Sequence, residues 1–236
     1  MSPGQSSNER TAPGVTSAVA SGDTPGDTPG RRPQPRRVPR QARSKQRVED
    51  ILDAASRLVL ERGVEQMSTR AIAEAAGVPV ASLYQYFADK EAVLLSLAER
   101  DMDEMDAQVM ADLAADVPTS MSAMVETVMR AFITVYARRP AFVEVWLRGR
   151  GNAAIRARGR EHNSTVAEMM HAYAIELGLA VEDVQPRVAL LAVEIGDRVF
   201  QLAYEHDLDG DQALVEEGIT MIVAYLDRYA RPAPTS

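Results

Sequence analysis

The segment AGVPVASLYQYFADKEAVL, residues 76–94, holds three aromatic side chains, Tyr84, Tyr86 and Phe87, in a chain that is only 5% aromatic. A tyrosine hydroxyl on a rigid ring can hydrogen-bond a phosphate oxygen. Lys90 follows at a predicted helix start, where free N–H groups and the helix dipole also favour an anion. These residues therefore suit contact with a nucleic-acid backbone; the alternative is that the rings form the hydrophobic core of a small domain.

Three predicted helices position this segment. Apolar residues recur with helical spacing up to Gly63, which ends the first helix. Ser68 or Thr69 can cap a short second helix that ends at Gly77, and Pro79 suits the first turn of a third. Two short helices that pack on a longer one form a helix-turn-helix, whose second short helix enters the DNA major groove.

This geometry predicts the DNA-binding side chains. Backbone contacts are expected from the basic, hydroxyl and tyrosine side chains, and base-edge or methyl contacts from the start of the third helix. Arg70 fits a DNA contact and a surface salt bridge equally well. The full predicted set is Arg43, Lys45, Thr69, Arg70, Pro79, Val80, Ala81, Ser82, Tyr84, Gln85, Tyr86 and Lys90.

The charge distribution agrees with a DNA-binding module near the N-terminus. The whole chain has a net charge of −8, but residues 31–90 contribute +5 and residues 91–236 contribute −11. A basic segment joined to an acidic body is expected when one module alone touches phosphate. Residues 1–40 are rich in Pro, Gly, Ser and Thr and are predicted to be disordered. They form either a solubilising tail or a basic arm that adds DNA contacts.

The rest of the chain is also helical by pattern, so the predicted fold is all-α with about nine helices in two parts. We predict a disordered arm over 1–40, a helix-turn-helix domain over 41–90, a helical domain over 91–230 and a disordered tail over 231–236. The chain has no Cys, which fits a reducing cytoplasm. No apolar stretch is long enough for a membrane span, and no secretion signal is evident.

The segment MSTRAIAEAAGVPVASLYQYFADKEAVL resembles the DNA-binding domain of the tetracycline-repressor (TetR) family of bacterial regulators. The matching features are the Thr that opens a short helix, Ala-Gly-Val, the Leu-Tyr pair, an aromatic before Phe, and Lys followed by an acidic residue. The resemblance covers about residues 41–94. Pro79, Ala81 and Tyr86 depart from residues common in the family, so the operator sequence does not follow from it.

The resemblance implies a regulator, most simply a repressor, that acts as a homodimer and leaves its DNA operator when a small-molecule effector binds. A constitutive regulator whose C-terminal domain only dimerises is the alternative. Beyond residue 95 the resemblance is architectural, and it implies a divergent helical domain for effector binding and dimerisation.

Local patterns supply candidates for both roles. Adaptable methionines and the chain's one tryptophan suggest a pocket, although ordinary core packing explains them too. Small residues on the last two helices would let helices approach closely across a two-fold axis. The predicted effector-binding residues are Met124, Val128, Phe132, Phe142, Trp146, Met170 and Tyr173. The predicted dimer residues are Ala192, Gly196, Val199, Ala203, Met221 and Tyr225.

Other chemistry is not indicated. The arginines in RGRGNAAIRARGRE, residues 148–161, could neutralise an anionic effector or could simply be solvated. The three histidines lack metal-ligand spacing and no Cys assists them, so neither a metal nor a cofactor is expected. No nucleophile motif, phosphate loop or coherent triad occurs, and an enzyme is not expected.

Overall fold

The computed structural model describes residues 40–149 and 152–231. The predicted arm, up to residue 39, and the predicted tail after residue 231 lie outside these residues. Arg231, which we had placed in the tail, is held in the fold, because its backbone N–H donates to Leu179 O and its guanidinium pairs with Glu182.

The N-terminal part begins with a long helix, α1 (Arg40–Arg62), whose apolar stripe is buried. Gly63 ends it with a φ of 77°, a value that L side chains disfavour. A 3₁₀ turn (Val64–Gln66) leads to α2 (Thr69–Ala75), and Ser68 caps this helix by accepting a hydrogen bond from Ala71 N–H at 3.2 Å. The predicted first two helices are confirmed.

The recognition helix α3 (Val80–Leu83) is only one turn long. Pro79 precedes it as the N-cap, and Tyr84 already follows it as the C-cap. Leu83 and Phe87 are both buried and hold this segment against α1 and α2. Asp89 then caps α4 (Lys90–Ala115), accepting from Ala92 N–H at 2.8 Å.

The C-terminal part is a bundle of helices that begin and end at capping residues. Its members are α5 (Met121–Arg138), α6 (Pro140–Phe142) with the π-helical segment Val143–Arg148 that continues it, α7 (Ala153–Glu176), α8 (Pro186–Ala203) and α9 (Gln212–Leu226), followed by a 3₁₀ turn (Asp227–Tyr229). The described residues contain no strand, only a single antiparallel bridge between Ala180 and Ala230. The all-α fold class is therefore confirmed.

The helix α4 connects the two parts without a break. It passes straight through the predicted domain boundary at residue 90, and it packs on α1 near its start and on α5 further along. Among the described residues, no helix has the length and apolar composition needed to cross a membrane.

Candidate DNA-binding surface and effector cavity

The predicted DNA-contacting side chains gather on one face formed by α2, α3 and the start of α1. Pro79, Val80, Ala81 and Gln85 are exposed, whereas Ser82 is half-buried. Arg43, Lys45 and Arg70 are also exposed. An exposed apolar side chain such as Val80, 37% accessible, costs nothing to the core and is free to meet a base methyl group.

Tyr84 is the most exposed ring of this face, with 53% of its surface accessible. Its hydroxyl lies 3.0 Å from Thr69 Oγ1. Either hydroxyl can donate in this pair, so the other retains a proton that it can offer to an external acceptor. The pair joins the end of α3 to the start of α2 and fixes the direction of both side chains.

Tyr86 and Lys90 are more restrained than the sequence suggested. Tyr86 is half-buried, and its hydroxyl accepts a hydrogen bond from Ser44 Oγ on α1 at 3.4 Å. Lys90 is half-buried and donates from Nζ to Val64 O at 3.4 Å. Both side chains therefore brace the surface as well as bordering it.

A cavity runs through the C-terminal bundle between α4, α5, α7, α8 and α9. Its walls are almost wholly apolar and rich in methionine. Six of the seven side chains that we predicted for an effector pocket line it, namely Met124, Val128, Phe132, Phe142, Trp146 and Met170. Tyr173 is half-buried and does not line it.

The segment of α6 and the π-helical turn after it lies between the cavity and the DNA-binding part. Phe142 and Trp146 line the cavity, with ring centroids 5.8 Å apart, and the same segment packs against α1. Trp146 also packs on Gly159 of α7, where an added Cβ would lie 3.4 Å from the indole. Arg148 closes the segment by donating to Tyr204 O at 2.8 Å and pairing with Glu144.

Charged side chains on α4 form a second connection between the two parts. Arg100 pairs with Glu49 at 3.3 Å and with Asp53 at 2.8 Å, both on α1. Burial opposes the charge of Arg100, but the hydrogen bond from Asp53 and the neighbouring carboxylates outweigh it and raise its pKa. Asp101 is 1% exposed, and its burial raises its pKa despite the nearby Arg100. Sequence reasoning missed this network because it joins residues about fifty positions apart.

The predicted dimer residues divide into two groups. Ala192, Gly196, Val199 and Ala203 are buried inside the protomer, where Ala192 and Gly196 line the cavity. Met221 is 51% exposed and Tyr225 is half-buried. The exposed apolar side chains of α8 are instead Leu190, Leu191 and Leu202. The small residues of α8 therefore serve packing within one chain, and the dimer prediction passes to the opposite face.

Sequence reasoning also missed two polar side chains of the cavity wall, His162 and Asn163. Their signal was present, because they stand three and four residues before Val166 on the same apolar stripe of α7. The arginines of segment 148–161 are placed differently from the anionic-effector idea. Arg148, Arg156, Arg158 and Arg160 do not line the cavity, and Arg150 lies outside the described residues.

A one-turn recognition helix on a helix-turn-helix, joined by a continuous helix to a bundle with an apolar cavity, defines a DNA-binding regulator with a separate C-terminal domain. Two family models match the chain in just these parts. Residues 51–97 match the bacterial regulatory proteins of the tetR family, and residues 120–226 match the tetracyclin repressor-like C-terminal domain.

Individual relatives agree. The transcriptional repressor KstR of Mycolicibacterium smegmatis is 32% identical over 142 residues, which cover 59% of this chain and 68% of that protein. A TetR-family regulator from Streptomyces coelicolor has a crystal structure that superposes with a TM-score of 0.64 at 30% identity, covering 78% of this chain and 99% of that one. The chain belongs to the TetR family of transcriptional regulators, and it is a DNA-binding protein, not an enzyme.

A more distant structure shares the fold. The complex of SmeT with triclosan superposes with a TM-score of 0.56 at 21% identity, over 81% of this chain and 99% of that one. At this identity the likeness concerns the fold alone.

Proposed function

We propose that this protein is a homodimeric repressor that leaves a pseudo-palindromic operator when a small apolar effector fills the cavity of the C-terminal bundle. The observation that carries the proposal is the position of α6 and its π-helical continuation. Phe142 and Trp146 form part of the cavity wall, and the same short segment packs against α1 of the DNA-binding part. A molecule that moves these rings also moves the support of α1.

Repression is supported by the KstR relatives, which are named as repressors in M. smegmatis and in Rhodococcus jostii. Response to a small molecule is supported by the apolar cavity and by SmeT, a protein of the same fold that binds triclosan. The absence of Cys and the DNA target are compatible with action in the cytoplasm.

On DNA, we assign phosphate contacts to the exposed Tyr84 and its partner Thr69, together with Arg43 and Lys45. Base-edge readout falls to α3 and its flanks, because the first residues of a recognition helix reach furthest into the major groove. Arg70 and Lys90 border the same face. The remaining members of this surface are Pro79, Val80, Ala81, Ser82, Gln85 and Tyr86.

The dimer is assigned to the exposed apolar face of α8 and α9. Leu191, Leu202 and Met221 leave 47%, 41% and 51% of their surfaces accessible in the protomer. Side chains of this size on adjacent helices are suited to a four-helix contact across a two-fold axis. Such a contact sets the distance between two copies of α3, and a ligand that favours another distance shifts the population away from DNA.

The test is fluorescence anisotropy of labelled DNA from upstream of the protein's own gene, in a salt series. We expect saturable binding by two protomers per site, at least about a hundredfold tighter than to scrambled DNA. Binding that no apolar compound ever reverses would favour the constitutive regulator instead. Equal affinity for operator and scrambled DNA would contradict both.

A further inference from the structure

The cavity is long and narrow. Its α7 wall runs from His162 to Ala174, twelve residues, which is about 18 Å at 1.5 Å per residue. About 120 Å³ of the cavity can hold the centres of water-sized molecules. Spread over that length, this volume describes a channel roughly 6 Å across, once the radius of the water is added. Such a channel accepts one hydrocarbon chain and excludes a fused ring system.

The middle of the channel offers only apolar contacts, from α5, α7, α8 and α9. Its far end, where α7 gives way to α8, is closed and already satisfied. His171 Nε2 lies 2.9 Å from Val184 O, and Val181 N–H donates to Tyr229 O at 2.9 Å. A polar head would find little to bind there. The apolar wall comprises Val125, Met129, Val166, Met170, Val188 and Ile222.

The polar side chains gather at the other end, next to α6. His162 lies beside Trp146, with ring centroids 6.3 Å apart, and its Nε2 is 2.9 Å from Asp106 Oδ1. A carboxylate only accepts hydrogen bonds, so Nε2 carries the proton and Nδ1 of a neutral ring is an acceptor. Asn163 donates from Nδ2 to Glu194 at 3.2 Å and to Asp197 at 3.3 Å. Its remaining capacity is the acceptor Oδ1.

This end therefore presents acceptors: His162 Nδ1, Asn163 Oδ1 and the carboxylate of Asp197, which also lines the cavity. Among the described residues, no Lys or Arg side chain lines it. A buried carboxylate head would bring further acceptors to a site that already holds an acidic group, which is costly without a paired cation. A hydroxyl head, which donates, matches the site.

We propose that the effector, acting as described in the preceding subsection, is an uncharged, unbranched hydrocarbon with a hydroxyl at one end. The hydroxyl lies beside His162 and Asn163, and the chain extends towards Ala174. A carbon–carbon bond of about 1.5 Å advances an extended chain by about 1.3 Å per carbon, so about twelve carbons span most of the channel. The inference depends on the effector role of this cavity.

Trp146 provides the readout, because it is the chain's one tryptophan and lines the α6 end of the cavity. We would titrate the full-length protein with 1-alkanols of increasing length and follow its intrinsic fluorescence at neutral pH. Dodecanoate, below its micelle concentration, is the charged control of equal length, and cholesterol is the wide control. We expect saturable fluorescence changes with an affinity optimum near dodecanol, at least about tenfold tighter than dodecanoate.

A substitution at the far end tests the length of the channel. Ala174→Leu extends a buried lining residue into the channel and should shorten the optimum by about two carbons. Ala172→Leu adds the same atoms to an exposed position of the same helix and should leave the optimum unchanged. Equal optima for the two variants would overturn the proposal, as would dodecanoate or cholesterol binding more tightly than dodecanol.

Operator anisotropy on the same samples separates this inference from the repressor function. Displacement of the operator by the alkanol series supports both. Displacement by cholesterol or dodecanoate alone keeps the repressor function and rejects this effector class. Alkanol binding without displacement would overturn the inference that this class is the effector. Loss of specific operator binding in every condition would reject the repressor function itself.

Discussion

The hydroxyl pair of Thr69 and Tyr84 is the smallest unit from which the DNA-binding surface can be tested. Tyr84→Phe removes one hydroxyl from the 3.0 Å pair and keeps the ring. We expect it to weaken binding to operator and to scrambled DNA alike, by about 0.5–1.5 kcal/mol, because a phosphate contact carries no sequence information. Fluorescence anisotropy against both DNAs measures the effect.

Tyr173→Phe is the matched control for this substitution. Tyr173 lies on α7 of the C-terminal bundle and lines neither the DNA-binding face nor the cavity. Its loss of a hydroxyl should leave both affinities unchanged. A Tyr84→Phe effect confined to the operator would instead place this hydroxyl on a base.

Asp101 allows a prediction about pH. Its burial raises its pKa above the ordinary value of 3.8, so the folded protein holds this proton more tightly than the unfolded chain. The stability that the proton contributes is present at low pH and is lost as the pH rises through the folded pKa. At neutral pH the buried charge therefore subtracts from the free energy of unfolding.

Asp101→Asn removes this charge, and the amide oxygen can still accept from Arg100. We expect thermal unfolding to show a variant that is at least as stable as the wild type at pH 8 and less stable relative to it near pH 4. Asp103→Asn, at an exposed position two residues along α4, is the control and should not change this pH dependence. A larger loss at pH 8 than at pH 4 would contradict the assignment.

At the scale of the helices, the contact between α8 and α9 depends on Gly218. A Cβ at this position would lie 2.5 Å from Val199 Cγ1, and the buried, branched Val199 has little freedom to move. At Gly196 the nearest atom, Met129 Sδ, would be 3.5 Å away, an ordinary contact.

Gly218→Ala should therefore lower the free energy of unfolding by about 1–3 kcal/mol, the usual cost of overpacking. Gly196→Ala should be neutral or slightly stabilising, because alanine is the better helix former. Chemical denaturation of both variants measures the difference. Similar losses in the two would mean that α9 adjusts its position freely.

The helices show how far sequence patterns reach. Capping residues such as Ser68 and Asp89 and the stops at Gly63 and Gly77 located the helix-turn-helix, because these signals are local. The brevity of α3 did not follow, since it depends on Leu83 and Phe87 packing on α1 and α2. The orientation of α8 was wrongly anticipated because small residues suit close packing within one chain as well as between two.

For the whole molecule, assembly is the open quantity. Met221→Glu places a charge on the exposed apolar face of α8 and α9 and should convert a dimer to a monomer, measured by light scattering after size exclusion. Operator affinity should fall with it, because two recognition helices no longer share one scaffold. Met110→Glu, at a similarly exposed position of α4, is the control. Dimers of undiminished stability would move the interface elsewhere.

The cavity was partly visible in the sequence. The apolar and methionine-rich stripes of α5 and α7 indicated its walls, and six of the seven suggested side chains line it. The acceptors at its α6 end and the Arg100 pairs with α1 were hidden, because both arise where distant helices meet. Composition fixes what a wall is made of, but only tertiary packing decides which polar atoms face one another.

The π-helical segment Val143–Arg148 has hydrogen bonds that span five residues instead of four, so it holds one residue more than an α-helical turn requires. Loss of a single codon there would restore an α-helix and rotate the residues before the deletion by about 100° relative to Arg148. Phe142 would then leave the cavity while the rest of its wall stayed in place. A lineage could thus exchange part of its aromatic wall in one genetic step, whereas point substitutions must replace each ring separately.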